Sequence, residues 1–153
     1  MFPVACRNPT KQISEDSNKQ SREDKMIKDF LKQNYIDFSN RDWNKFRAYF
    51  WENATITTIW KKPGESGPNI HVTTIDEFLK QTFNGPDSKP SFDEKMVSSQ
   101  ITQKGDLATA WTEYTTELGT GDSLERWKGI DLFSLMQFKG SWKIVSLAFK
   151  GDR

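Results

Sequence analysis

The chain has 153 residues, with 22 Lys and Arg against 21 Asp and Glu and a net charge of +1. That length suits one domain with a sizeable core, and the even charge balance excludes a protein held to nucleic acid by counterion release, which needs a basic excess. No apolar run approaches the ~20 residues of a membrane helix. One Cys and one His exclude a disulfide framework, a Cys-based zinc site and any multi-His metal site.

Residues 1–24 are polar and mixed in charge, without hydrophobic period, and read as a disordered tail before a single domain at 25–153. The start, MFPVAC, places a small residue before Cys6 and a polar tether after it. A bacterial lipoprotein looks like this once its signal peptide is removed, but the basic and long apolar parts of such a signal do not precede it. A cytoplasmic location is the default expectation. An envelope lipoprotein anchored through Cys6 follows if the true start lies upstream.

From Lys25, the residues Met26, Ile27, Phe30, Leu31, Asn34, Tyr35 and Phe38 recur at helical spacing and predict a helix with one apolar face. Ser39-Asn40 ends it, and Asp42 to Phe50 reads as a second, shorter helix. ATITTIW (54–60) is β-branched and alternating, hence a strand, and the Gly/Pro-rich stretch from Pro63 to Pro68 is a loop. After an extended piece at Ile70–Val72, the spacing of Thr74 and Glu77 is that of a capping box opening a third helix to about Phe83. NGPDSKP (84–90) is a loop, and the rest is strand and turn to the end. Helices first and a long meander after predict an α+β fold with the helices on one face of a bent sheet.

The segment RWKGIDLFSLMQF (126–138) carries an acid, Asp131, in the middle of an apolar strand. Trp127, Gly129, Asp131, Phe133 and Leu135 alternate onto one face. If GTGD (119–122) is a hairpin turn, Trp111 lies opposite Asp131 and Glu113 opposite Gly129. The next strand adds either Val145, Leu147 and Phe149 or Ile144, Ser146 and Ala148, the larger set suiting a pocket wall. A carboxyl among Trp and Phe has its pKa raised by desolvation, and in its neutral form it can donate a hydrogen bond to a developing oxyanion. The alternative is a paired Asp131 that only fixes the sheet. Glu113 is the candidate base, or else a solvated strand residue. Trp60, Phe78, Trp111, Trp127, Phe133, Leu147 and Phe149 are the candidate pocket walls. Lone His71 reads as a surface or mouth residue, and Trp43, Trp51 and Trp142 as structural.

The order of elements, with FWENATI, TTIDEFL, GDLATAW, GIDLF and WKIVSL at their spacing, resembles the nuclear transport factor 2-like superfamily over residues 25–150. The resemblance implies a cystatin-like cone: a strongly curved, mostly antiparallel sheet with three helices packed on its concave side. GIDLF is similar to the segment of ketosteroid isomerases that carries the protonated acid of the oxyanion hole, and this would give Asp131 that role. The isomerase's base position falls on Thr58 and its tyrosine on or near Asn34, with Tyr35 one residue away on another helix face, so the full isomerase set does not carry over. The polyketide-cyclase-like and dehydratase-like members use Asp, His and Tyr, and only His71 could match their histidine.

The expected function is a pocket for a small apolar organic ligand, with cofactor-free acid/base chemistry on an uncharged ring or carbonyl compound by Asp131 and Glu113. No cofactor, metal, nucleic acid or transmembrane segment is expected. The alternative is a non-catalytic binding or assembly module, a homodimer through an outer sheet face bearing Tyr114, Leu132 and Met136.

Overall fold

The computed structural model describes residues 9–84 and 91–152. Helix α1 (Pro9–Ser39) begins well before Lys25, so much of the expected tail is helical. Side chains from Ser14 to Arg22 are exposed, and i,i+4 pairs such as Gln20–Asp24 and Lys25–Asp29 line the solvated stretch. Such local pairs support a helix that has no apolar face to bury. From Ile27 onward the helix does bury a stripe: Ile27, Leu31, Asn34, Tyr35 and Phe38. Residues 1–8, with Cys6, residues 85–90 of the expected loop and Arg153 lie outside the described residues.

Asp42 caps α2 (Trp43–Ala48) by accepting from the Lys45 N–H at 3.2 Å. Strands β1 (Phe50–Trp60) and β2 (Asn69–Thr74) follow. The capping box opens α3 (Ile75–Asn84) as its spacing predicts: Thr74 Oγ1 accepts from the Glu77 N–H at 3.2 Å, and Glu77 Oε2 accepts from the Thr74 N–H at 2.9 Å. Strands β3 (Phe92–Lys104), β4 (Leu107–Leu118), β5 (Glu125–Phe138) and β6 (Ser141–Asp152) complete one six-stranded sheet. Its order is β2-β1-β6-β5-β4-β3, antiparallel except where β1 runs parallel to β6. The fold is the α+β cone that the sequence predicts, with a curved sheet and the helices against its concave face.

Two details of register decide which side chains reach that face. The connection from β4 to β5 leaves Leu118 paired with Glu125, so Thr112 stands opposite Asp131 and Trp111 opposite Leu132. This is one residue off the expected pairing, and a one-residue slip turns a strand over. Ala108, Ala110, Thr112, Tyr114, Thr116 and Leu118 therefore point inward, while Trp111 and Glu113 point out. Tyr114, expected on the outer face, is buried inside the cone. In β6 a bulge opposite Ser134–Leu135 brings Trp142 and Ile144 onto the same inner face as Leu147, where Phe149 also packs.

Candidate active site

The buried stripe of α1 lies along the inner face of the sheet, and Tyr35 is where the helix meets the central strands. Its ring packs edge-on to Phe133 and tilted against Tyr114, with centroids 6.3 Å away in each case. The Tyr35 hydroxyl donates to Asp131 Oδ2. Since its one proton is used there, the Thr112 hydroxyl 2.7 Å away is the donor to Tyr35. The chain Thr112→Tyr35→Asp131 thus joins β4, α1 and β5. It uses only one carboxyl oxygen of Asp131.

Asp131 is 5% exposed, with Gly129 and Phe133 flanking it on its face. Burial pushes its pKa up to about 7, and the Tyr35 hydrogen bond holds it from rising further. Burial and the neighbouring Asp131 push the Tyr35 phenol upward, so it remains a proton donor. The expected inward position of Asp131 is the observed one. Its partner in the sheet is Thr112 and not Trp111.

A cavity of about 120 Å³ lies over this network, lined by Asp131, Phe78, Trp127, Phe133, Leu147 and Phe149, six of the residues predicted for the site. Asn34, Tyr35, Glu94 and Tyr114 also line it, Tyr35 standing inside with Asn34 and not on the separate helix face expected of it. Glu94 projects inward from β3, half-buried, and accepts from Thr116 Oγ1 at 2.9 Å. Its backbone is bolted to the end of α1: the Glu94 N–H donates to Ser39 Oγ at 2.7 Å, and Ser39 Oγ donates to the Glu94 carbonyl at 2.9 Å. The alternation of Phe92, Glu94 and Met96 was the available signal that Glu94 shares an inner face. For Tyr35 it was the helical spacing from Leu31 and Phe38.

A second, more open compartment of about 310 Å³ adjoins the first across Phe78, Tyr114, Trp127 and Phe149. Trp60 lines this outer part and not the inner one, together with His71, whose ring meets the indole edge-on at 5.8 Å. His71 Nε2 stands 3.4 Å from Glu65 in the β1–β2 loop. Trp111, 53% exposed, and Glu113, which accepts from Ser98 at 2.9 Å, stand on the convex side of the sheet, across from the cavity. The expected Asp131–Glu113 pair is therefore split by the sheet itself.

Two glycines keep the cavity wall in place. A Cβ on Gly129 would fall 2.2 Å from the Tyr114 ring, and one on Gly151 would meet Trp127 and the Tyr114 hydroxyl at 3.3 Å. Among the described residues no three His, Cys, Asp or Glu side chains come together as metal ligands, and no helix is long and apolar enough to cross a membrane.

A curved sheet closed by helices over a small cavity with a polar floor defines a nuclear transport factor 2-like domain. Residues 22–150 match the family described as "Putative lumazine-binding", and the chain belongs to that family. An NTF2-like protein of unknown function from Shewanella baltica OS155 superposes with a TM-score of 0.63 at 18% identity, over 87% of this chain and 96% of that one. The hexachlorocyclohexane dehydrochlorinase LinA-type3 from Novosphingobium barchaimii LL02 gives 0.68 at 11% identity, covering 90% and 91%. The CaMKII hub of S. rosetta gives 0.64 at 16%, covering 83% and 95%. At such identities the likeness is one of fold alone. No curated protein matches the chain.

Proposed function

We propose that the cavity binds a small, uncharged ring or carbonyl compound and that the chain moves a proton on it without a cofactor, as an isomerase, cyclase or dehydratase does. The observation that carries this reading is Asp131, a carboxyl buried at the floor of an aromatic cavity with its pKa raised to about 7. In its neutral form it donates a hydrogen bond to the ligand's oxygen, as acid or oxyanion donor, and Tyr35 positions it. Glu94 replaces Glu113 as the base. It shares the cavity with Asp131 in a less buried setting, where its carboxyl accepts from Thr116 Oγ1. Among the described residues lining the two compartments there is no Lys or Arg, which favours an uncharged ligand over an anion. The family description names a lumazine, a fused-ring carbonyl heterocycle, and the LinA name a halogenated ring. Both are uncharged rings.

The test is a titration with lumazine and a panel of cyclic ketones, followed by tryptophan fluorescence, with α-carbon deuterium exchange of the ketones read by NMR. Binding with exchange that Asp131→Asn and Glu94→Gln each abolish supports the enzyme. Binding without exchange leaves a pocket protein, and no binding removes the pocket reading.

A second reading rests on the convex face. Trp111, Leu107, Ile130 and Met136 are all about half exposed there, and the cross-strand pairs Leu107–Met136, Trp111–Leu132 and Glu113–Ile130 make them neighbours. An apolar surface of this kind is the usual mark of an interaction site. We propose that it joins two copies of the chain, with Leu132 and Met136 as expected from the sequence and with Trp111 in place of Tyr114.

A further inference from the structure

Asn34 is 4% exposed and lines the inner cavity, yet its Nδ2 has no hydrogen-bond acceptor among the described residues. Its neighbours on the same face of α1 are otherwise accounted for. Tyr35 is tied to Asp131 and Thr112, and Asp37 accepts from Tyr49 at 2.6 Å and from Gln33 at 3.2 Å. A buried amide with unused N–H groups is costly in a finished core, where nearly every such group is paired. An apolar residue at this inward position of the helix would cost nothing of that kind. The sequence nevertheless puts an amide there, one residue before the tyrosine that holds Asp131.

We infer that Asn34 is a ligand-recognition residue: its Nδ2 donates to an acceptor oxygen on the bound molecule and so selects rings that carry a carbonyl over rings of the same size that do not. This deepens the proposed function and rests on it. Asp131 keeps its Oδ1 free of the Tyr35 bond, and in the neutral acid that oxygen can carry the proton into the cavity. Two donors, the amide and the acid, then line one small cavity. A single carbonyl oxygen has two lone pairs and can accept from both, and a dicarbonyl ring can give one oxygen to each. A ligand without acceptors leaves both donors buried and unpaired, and sites built to hydrogen-bond an oxygen reject such analogues strongly. Asp131 supplies reactivity in this arrangement. Asn34 supplies choice.

The experiment compares 1-tetralone with tetralin, the same skeleton without the oxygen, on the wild-type chain and on Asn34→Leu. Affinities come from tryptophan fluorescence, and the Asn34 side-chain amide is followed by ¹⁵N NMR. The ligand-free stability of both proteins is measured alongside by thermal denaturation. The expected results are a tetralone preference of roughly tenfold or more in the wild type, a downfield shift of the amide protons with tetralone only, and loss of most of that preference in Asn34→Leu with tetralin binding unchanged. Asn34→Leu without ligand should be as stable as the wild type or more so, because it removes an unpaired buried group. A variant that loses stability while keeping its tetralone preference would overturn the inference, since the amide would then be a structural partner. If neither compound binds but the variant is stabilised, the choice of ligand class fails and Asn34 is reduced to an unpaired group. If lumazine does not bind either, the pocket reading fails with it.

Discussion

The Tyr35 phenol donates its proton to the carboxyl of Asp131 across a sequence separation of 96 residues, and this one bond fastens the long helix to the middle of the sheet. Both partners are buried, and the Thr112 hydroxyl completes the chain from behind. The bond has two effects that can be measured separately. It orients Asp131, and it restrains the upward drift of that group's pKa.

Tyr35→Phe should therefore raise the Asp131 pKa above its value of about 7, because the substitution removes the only contribution that lowers it and leaves burial in place. A carboxyl-carbon NMR titration reads this directly. The variant should also lose about 1–2 kcal/mol of stability, since Thr112 is left with no acceptor for its hydroxyl. A fall in the Asp131 pKa would mean that solvent enters when the hydroxyl is lost, and the account of the floor as a dry site would be wrong.

Asp131 also fixes how stability follows pH. In the unfolded chain it ionises near 3.8, and in the folded one near 7. Between those values the folded state holds a proton that the unfolded chain has released, so the contribution of Asp131 to stability falls as pH rises through this window and is level above it. Asp131→Asn removes the dependence while keeping an oxygen to accept from Tyr35. The variant should gain on the wild type from pH 4 to 7, by on the order of 4 kcal/mol at the upper end. Urea denaturation at pH 5 and pH 8 checks the sign. An equal gap at the two pH values would show that the group titrates normally.

The sequence shows the fold well and the site in part, and the difference has a physical cause. Capping, alternation and helical spacing are local, so Thr74–Glu77, the inward face of β5 and the stripe from Ile27 to Phe38 are all legible in it. Register across a hairpin is not local. The connection between Leu118 and Glu125 sets it, and a single-residue error there moved Trp111 and Glu113 from the outside to the inside. Glu94 alternates with Phe92 and Met96, but alternation alone does not say which face of an edge strand is the inner one; the bonds to Thr116 and Ser39 do. In α1, the lack of apolar period before Lys25 reads as disorder, because a solvated helix held by local side-chain pairs shows no apolar face.

Gly129 offers a test of how tightly the cavity wall is built. Alanine in place of glycine ordinarily stabilises a strand slightly through the unfolded state. Here the added Cβ would overlap Tyr114, 2.2 Å from its Cζ and 2.3 Å from its hydroxyl oxygen. Gly129→Ala should cost about 3 kcal/mol and weaken lumazine binding, because the ring must move into the cavity. In a double-mutant cycle, Gly129→Ala and Tyr114→Ala together should cost less than the two single changes added, by 1 kcal/mol or more, since the clash needs both side chains (an estimate from contacting pairs). Additive costs would show that the ring already sits clear of the glycine.

The convex face separates assembly from ligand binding, because the sheet stands between Trp111 and the cavity. Trp111 lies beside Leu132 on β5 and Gln100 on β3 and packs against nothing inside the cone. Trp111→Glu should cost a solvated monomer less than about 0.5 kcal/mol. If two copies meet through this face, the same change buries a charge at the contact and should leave a particle at the chain's own mass of 17.8 kDa in sedimentation experiments where the wild type runs at twice that. Thermal stability of the wild type should then rise with protein concentration and that of the variant should not. Lumazine affinity should agree between them within a factor of two, since no residue of the cavity is touched. A wild-type chain that sediments as a monomer at tens of micromolar would make the face a solvated surface, and the pocket would be left as the one site where function can be sought among the described residues.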